Sequence, residues 1–256
     1  MIDIIVNSEV VGQTNSIKLN TSMFTGNNSI NTIDLSNIEW CNNSMYQSFQ
    51  SCMNLTSVTN INDNVTNMYY TFWSCDQLTN IPSISNNVID MHGTFQWCFN
   101  LSESPIIPNS VTSMESTFWG CRNLINPPVI PNSVTYMWGT FSQCNLITDG
   151  PTIPDSVIDM GKTFFICNSL VNAPEIPNNV MYMNGTFQNC PNLSGDIYIH
   201  SENVTDAGNC FNGTSVSKNV YIPFTYQNGE YTKTYNSFNQ YYGFGQNGVT
   251  LIDIKS

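Results

Sequence analysis

The side chains best suited to nucleophilic or metal chemistry are nine cysteines and two histidines. Seven of the cysteines recur at intervals of 23 residues: Cys52, Cys75, Cys98, Cys121, Cys144, Cys167 and Cys190. A structural zinc site needs closely paired ligands such as Cys-x-x-Cys, and the sequence has no such pair. Equivalent residues in adjacent repeats would stand about 4.8 Å apart, beyond the ~3.8 Å between the Cβ atoms of a disulfide. We therefore expect buried free thiols and no metal site.

Catalysis by a serine or cysteine nucleophile requires a nearby base and a third group that orients it. Only His92 and His200 are candidates for the base. His92 occupies a variable position of the repeat and is predicted to be exposed, while His200 lies in a degenerate final copy. An enzyme would have to place its chemistry in residues 196 to 256, which have no motif spacing. We predict a protein without catalytic residues or cofactors.

The charge balance excludes two classes of partner. The net charge is −12, only 9% of residues are charged, and the six Lys and Arg residues are scattered singly. Binding of nucleic acid or of an anionic membrane depends on clustered cations, so neither is expected. The apolar runs are far shorter than the ~20 residues of a membrane helix, and the N-terminal residues do not resemble a signal peptide.

A 23-residue period extends to other apolar residues. The phenylalanines of the period are Phe49, Phe72, Phe95, Phe118, Phe141, Phe164 and Phe187. A methionine precedes each of them by four residues, and a valine precedes all but the first by seven. One unit of this length cannot bury its own apolar face, but stacked copies bury a continuous core. The pattern predicts a repeat solenoid in which the methionines fill the core.

Local spacing predicts the elements of each copy. The segment that contains Ile61, Ile84, Ile107, Ile130, Ile153 or Ile176 is short and flanked by turn-forming residues. We predict one short parallel strand there in each copy, and a short helix or 3₁₀ turn over the Val-x-x-Met-x-x-x-Phe stretch. We expect three regions: an N-terminal cap with an imperfect repeat (1–40), the repeat array (41–211) and a C-terminal β-rich cap (212–256).

The repeats resemble those of the BspA-like leucine-rich repeat family. The residues that carry this resemblance are Leu55-Thr56, Asn64-Val65-Thr66-Asn67-Met68 and Ile107-Pro108-Asn109-Ser110-Val111. The resemblance implies a curved solenoid of the α/β type, dominated by short parallel strands and capped at both ends. It also implies surface display, adhesion or recognition, with no enzymatic activity typical of the family.

The setting and the partner are a separate expectation. Such repeats occur in surface adhesins and in phage and other viral proteins. Because no export signal or anchor is evident, we expect a virion surface, fibre or tail-associated protein, with a cell-surface adhesin as the alternative. The expected partner is a neighbouring virion subunit, a host surface protein or a glycan, and low charge also favours a homo-oligomer.

Two sets of variable positions are candidate binding residues. Aromatic residues follow the periodic phenylalanine or methionine at Tyr69, Trp73, Trp119, Trp138 and Phe165. If exposed they would form a stripe suited to a protein or a sugar, whereas the alternative is that they cover gaps between coils. The second set precedes the periodic isoleucine and includes Asn60, Ser83, Thr152 and Glu175. Variation at these positions is typical of a recognition face.

Overall fold

The computed structural model describes residues 2–6, 9–14, 17–36, 38–81, 83–214, 218–224, 226–227, 230–242 and 248–254. In chain order the strands are β1 (Ile2–Val6), β2 (Glu9–Thr14), β3 (Ile17–Leu19), β4 (Thr32–Asp34), β5 (Ile38–Trp40), β6 (Ser57–Thr59), β7 (Ile197–Tyr198), β8 (Lys218–Ile222), β9 (Tyr226–Gln227), β10 (Glu230–Tyr231) and β11 (Val249–Asp253). The helices are a 3₁₀ turn (Cys41–Asn43) and α1 (Lys233–Tyr241).

An antiparallel hairpin covers the N-terminal end of the array. Strands β1 and β2 form it, and β1 also pairs antiparallel with β4. Strand β4 then pairs parallel with β6, 25 residues further along the chain. The change from antiparallel to parallel pairing marks the start of the repeat stacking, because residues of successive coils pair in parallel from here onward.

The parallel pairing between coils lies outside the segment predicted for it. Its main ladder joins the residue before each periodic methionine and ends at Asp206 of the last coil, where Ala207 replaces the methionine: Ser44, Asn67, Asp90, Ser113, Tyr136, Asp159, Tyr182 and Asp206. Of the periodic isoleucines, only Ile176 takes part in a bridge, to Ile199. The predicted strand position was therefore wrong for the others. The apolar character of these isoleucines reflects burial in the core, and burial does not require backbone pairing at the same position. Proline stands two residues before Ile84, Ile107, Ile130 and Ile153 and cannot donate a ladder hydrogen bond, but Ile176 pairs despite a proline at the same place.

The Val-x-x-Met-x-x-x-Phe stretch forms isolated turns closed by hydrogen bonds between residues i and i+3, as in the predicted 3₁₀ turn, and it forms no continuous helix. Thr117 N donates to Met114 O in its own coil, but the next amide, of Phe118, donates to Thr140 O of the following coil. This alternation continues around the turn. It arises because two residues per coil adopt a left-handed conformation, for example Ser116 at φ 52° and Gly120 at φ 77°. Alternate amides then point along the solenoid and join the coils.

The core consists of residue ladders that run the length of the array. The periodic phenylalanines, methionines, cysteines and leucines are buried, and neighbouring rings such as Phe118 and Phe141 stack at 5.8 Å. A buried threonine ladder lies beside them, in which Thr140 Oγ1 donates to the carbonyl oxygens of Met114 and Met137, both at 2.8 Å. The core is thus held by both apolar packing and hydrogen bonds between coils.

All nine cysteines are free, as predicted. The thiol of Cys144 donates to Phe118 O of the preceding coil at 3.1 Å, and the same contact recurs along the ladder. Burial raises the pKa of the Cys144 thiol well above its usual value. The seven thiols of the 23-residue ladder therefore act as small core groups, each bonded to a carbonyl oxygen of the preceding coil.

A sheet and a helix cover the C-terminal end. Strands β7, β8 and β11 form a parallel sheet in the order β11-β8-β7. Between β8 and β11, α1 begins after Thr232, whose hydroxyl accepts from Tyr235 N, and places Phe238 at 6.0 Å from Phe211 in the last coil. The sequence analysis predicted strands here and missed this helix. Residues 243–247 of the predicted strand stretch lie outside the described residues, and the three-region division stays a prediction.

Candidate recognition surface

One position of the repeat is exposed in every copy. It is the residue that precedes the periodic isoleucine, and we call this set the variable row: Asn60, Ser83, Ile106, Val129, Thr152 and Glu175. Each following isoleucine is buried, which fixes the backbone and turns the preceding side chain outward. Ile106 is 90% exposed and Val129 is 88% exposed. The row therefore projects side chains from a backbone that the core holds in place.

Clefts line the variable row along most of its length. A cleft of about 540 Å³ lies beside Asn60 and Ser83. A second cleft of about 370 Å³ contains Val129 and Thr152, and a third of about 480 Å³ contains Thr152 and Glu175. The second and third share Pro151 and Thr152, so they adjoin. Proline residues form much of their walls, which gives the clefts little conformational freedom.

The chemistry of the row changes from one end to the other. At the first end, Asn60 Nδ2 donates to Asp34 Oδ1 at 3.0 Å. Burial opposes ionisation of Asp34, but this bond and bonds from neighbouring groups outweigh it and lower the pKa of the carboxyl group. The centre is aliphatic, and at the far end Glu175 Oε2 lies 3.2 Å from His200 Nε2. The row thus offers amide, apolar and acidic contacts in sequence.

The aromatic candidates are half-buried and pack against other rings, several of them from neighbouring coils. The ring of Tyr69 stacks between Tyr46 at 5.5 Å and His92 at 4.5 Å, and Trp73 packs at 5.9 Å from Tyr70. His92 Nδ1 also lies 3.1 Å from Glu115 Oε2. His92 was predicted to be exposed, but its side chain is only 22% exposed. Tyr69 of the preceding coil stacks on its ring, and Glu115 of the following coil contacts Nδ1.

The other three aromatic candidates form a second group. Trp119 and Trp138 lie 5.5 Å apart, and Lys162 Nζ lies over the rings of both Trp138 and Phe165. A Cβ atom on Gly161 would lie 2.8 Å from Trp138, so the ring rests directly on the glycine. These contacts match the alternative in which large rings cover gaps between coils. They leave the variable row as the more accessible of the two candidate sets.

No group of three or more His, Cys, Asp or Glu side chains that could hold a metal ion occurs among the described residues. The closest approaches of a histidine to a carboxylate are the two pairs given above, His92 with Glu115 and His200 with Glu175. Neither pair has a serine or cysteine in hydrogen-bond contact with its histidine in the structure's described part.

The comparison with protein families decides the classification. The family described as BspA type Leucine rich repeat region matches in six copies over residues 7–125 and 89–217. The chain belongs to this family. No curated protein matches the sequence.

Solved structures of leucine-rich repeat proteins are similar to this chain. The leucine-rich repeat protein TpLRR of T. pallidum is 22% identical over 64% of this chain and 72% of its own, with a TM-score of 0.51. A leucine-rich repeat protein from Bacteroides ovatus is 17% identical over 98% and 76% of the two chains, with a TM-score of 0.46. A leucine-rich cell surface protein from Faecalibacterium prausnitzii is 16% identical over 83% and 85%, with a TM-score of 0.36.

Membership of the BspA-type family supports a non-enzymatic binding role for the chain. In the described residues, no helix is both long enough and apolar enough to cross a membrane.

Proposed function

We propose that the chain is a non-enzymatic recognition subunit that binds a protein partner through the variable row. The observation that carries this proposal is the almost complete exposure of Ile106 and Val129 at the centre of the row. Their neighbours Ile107 and Ile130 already fill the core position. The two exposed side chains therefore add nothing to core packing, and burial against a partner would remove apolar surface from water.

A surface of this kind has the features of an interaction site. The apolar centre is flanked by polar and acidic positions, as in interfaces where a desolvated centre carries most of the binding energy and a polar rim surrounds it. The repeat backbone is held by buried ladders, so little conformational entropy would be lost on binding. These features support recognition of a protein.

The proposed setting is a virion surface, where the chain would dock to another virion protein or to a host surface. A cell-surface adhesin that binds matrix protein or glycan is the alternative and would use the same row. Mass spectrometry of purified particles and of cell-envelope fractions from the source separates the two settings. Stoichiometric recovery with particles supports the virion, and recovery only with envelopes supports the adhesin.

Binding through the row can be tested with a double variant, Ile106→Asp with Val129→Asp. Because each change places a charge in the apolar centre, we expect binding of fluorescently labelled protein to particles or host cells to fall at least 30-fold, about 2 kcal/mol. The control is Leu146→Asp, an exposed aliphatic position between Cys144 and Ile147 of the core ladders. Equal binding by the double variant and the control would exclude the row as the binding surface.

A further inference from the structure

The variable row carries a charge pattern that restricts its partner, and this inference rests on the proposed function. The third cleft contains two exposed acidic residues, Asp155 and Glu175. The side chain of Glu175 is 74% exposed. Asp63 lines the first cleft. Among the described residues, no lysine or arginine lines any of the three clefts.

The cations of the repeat array lie elsewhere. The Arg122 guanidinium stacks over the ring of Phe99 at 4.8 Å, and Lys162 Nζ lies over the rings of Trp138 and Phe165. These residues follow the periodic cysteine or methionine, in the turn segment rather than in the row. Apart from uncharged polar side chains and His200 beside Glu175, the row therefore presents apolar and anionic groups to solvent, against a background net charge of −12.

We propose that the row binds an extended, cationic segment of a protein partner, in which an aliphatic side chain contacts Val129 and a lysine or arginine contacts Glu175. Opposite charge favours the encounter and fixes the register of the segment, while the apolar contact supplies affinity. An arginine would also match the planar carboxylate through paired hydrogen bonds.

The repeat fixes the spacing between the two contacts. Adjacent coils joined by backbone hydrogen bonds stand about 4.8 Å apart, and stacked rings of the phenylalanine ladder lie 5.8 Å apart. Two coils, the offset between Val129 and Glu175, therefore correspond to roughly 10–12 Å. An extended peptide advances about 3.3 Å per residue. The basic residue of the partner should thus stand three or four positions from the aliphatic residue.

The proline walls favour a peptide laid along the row over addition of a strand. Strand addition needs a free row of backbone donors and acceptors. Pro127, Pro128, Pro151 and Pro154 line the second cleft and have no N–H group to donate. Recognition must therefore come from side-chain contacts, which is why the row residues would set the sequence preference.

The test is selection of a random linear peptide library on the full-length protein, followed by affinity measurements with the enriched synthetic peptides. We expect a consensus with an aliphatic residue and a Lys or Arg three or four positions away. Glu175→Gln should weaken these peptides at least 10-fold, and 0.5 M salt should weaken them similarly. Glu175→Lys should restore binding to peptides in which the basic residue is replaced by Glu. Leu146→Asp serves as the control.

The outcomes separate this inference from the proposed function. Peptides that lose binding on Val129→Asp but have no basic residue would overturn the charge pairing and leave the row as a binding surface. Peptides that are insensitive to both Val129→Asp and Glu175→Gln would count against the row itself. A library that yields no binder, while a glycan array does, would overturn the peptide partner. Circular dichroism of each variant establishes that it is folded.

Discussion

Raising the pH from 7 to 10 is expected to lower the free energy of unfolding by about 10 kcal/mol. Burial is the main reason that the thiol pKa values are raised at seven cysteines, six of the 23-residue ladder and Cys210 of the last coil: Cys52, Cys75, Cys98, Cys121, Cys144, Cys167 and Cys210. The pKa of Cys52 is raised to about 11 and that of Cys210 to about 12. At pH 10 each thiol with an ordinary pKa near 9 ionises on unfolding, which favours the unfolded chain by about 1.4 kcal/mol per group.

The direction of this effect follows from which state holds the proton. Below the unfolded pKa both states are protonated, so the stabilising contribution is fully present. As the pH rises above 9, the unfolded chain releases protons that the folded chain retains, and stability is lost until the pH passes the folded pKa. Because a domain typically has 5–15 kcal/mol of stability, the chain should unfold at a pH of about 10.

Urea unfolding between pH 7 and pH 9.5, where the chain is still folded without urea, measures the number of protons released under reducing conditions. We expect the slope to rise with pH to about five protons at pH 9.5. Cys144→Ala is a matched variant because it removes one buried thiol from the centre of the ladder, and it should lower the slope by one. A slope of one or two protons would show that the thiols are not held protonated in the folded chain.

Phe141→Ala is expected to lower the free energy of unfolding by about 3–5 kcal/mol. The ring is fully buried and stacks at 5.8 Å on both Phe118 and Phe164. Alanine would leave a cavity that the rigid coils on either side cannot fill. Because each repeat contacts only its neighbours, the variant loses packing at both interfaces of one coil.

The control for this prediction is Phe165→Ala in the next coil. Its ring is half-buried and lies under Lys162 at the surface, so its removal should cost about 1–2 kcal/mol, since less apolar area is involved. Urea unfolding of both variants at pH 7 gives the comparison. Equal losses would contradict the central place of the phenylalanine ladder in the core.

The 23-residue period predicted the architecture because each periodic residue type marks the same buried position in every coil. Phe141 and Cys144 were assigned to the core from spacing alone, and both are buried. The strand position was wrong because apolar character at Ile107 indicates burial but not hydrogen bonding, and the nearby prolines remove donors. In this repeat the periodic isoleucines are buried, whereas the main parallel pairing lies at the residue before the periodic methionine.

A signal in the sequence for ring packing was overlooked. An aromatic residue is followed 23 positions later by glycine in Trp97 and Gly120, and again in Tyr70 and Gly93. A Cβ atom on Gly120 would lie 2.3 Å from the Trp97 ring, and one on Gly93 would lie 2.1 Å from Tyr70. The pairing shows that a ring of one coil rests on the glycine of the next, and it distinguishes packing aromatics from a free stripe.

The variable row was partly predictable. Variation before each periodic isoleucine pointed to a recognition face, and those positions are exposed. The clefts and the Glu175–His200 contact could not be predicted, because both depend on how proline-rich segments of successive coils meet. Helix α1 was missed because its residues have a mixed polar and aromatic composition without a repeat to guide the assignment.

The most direct measurement of the central claim is site-specific photocross-linking. A benzophenone amino acid is placed at Val129 in one protein and at Leu146 in another, and each is irradiated with intact particles or host cells. The account predicts a defined cross-linked protein band from position 129 that is absent from position 146 and is lost when Ile106→Asp is added. Equal cross-linking from both positions, or a band from position 146 alone, would contradict recognition through the variable row.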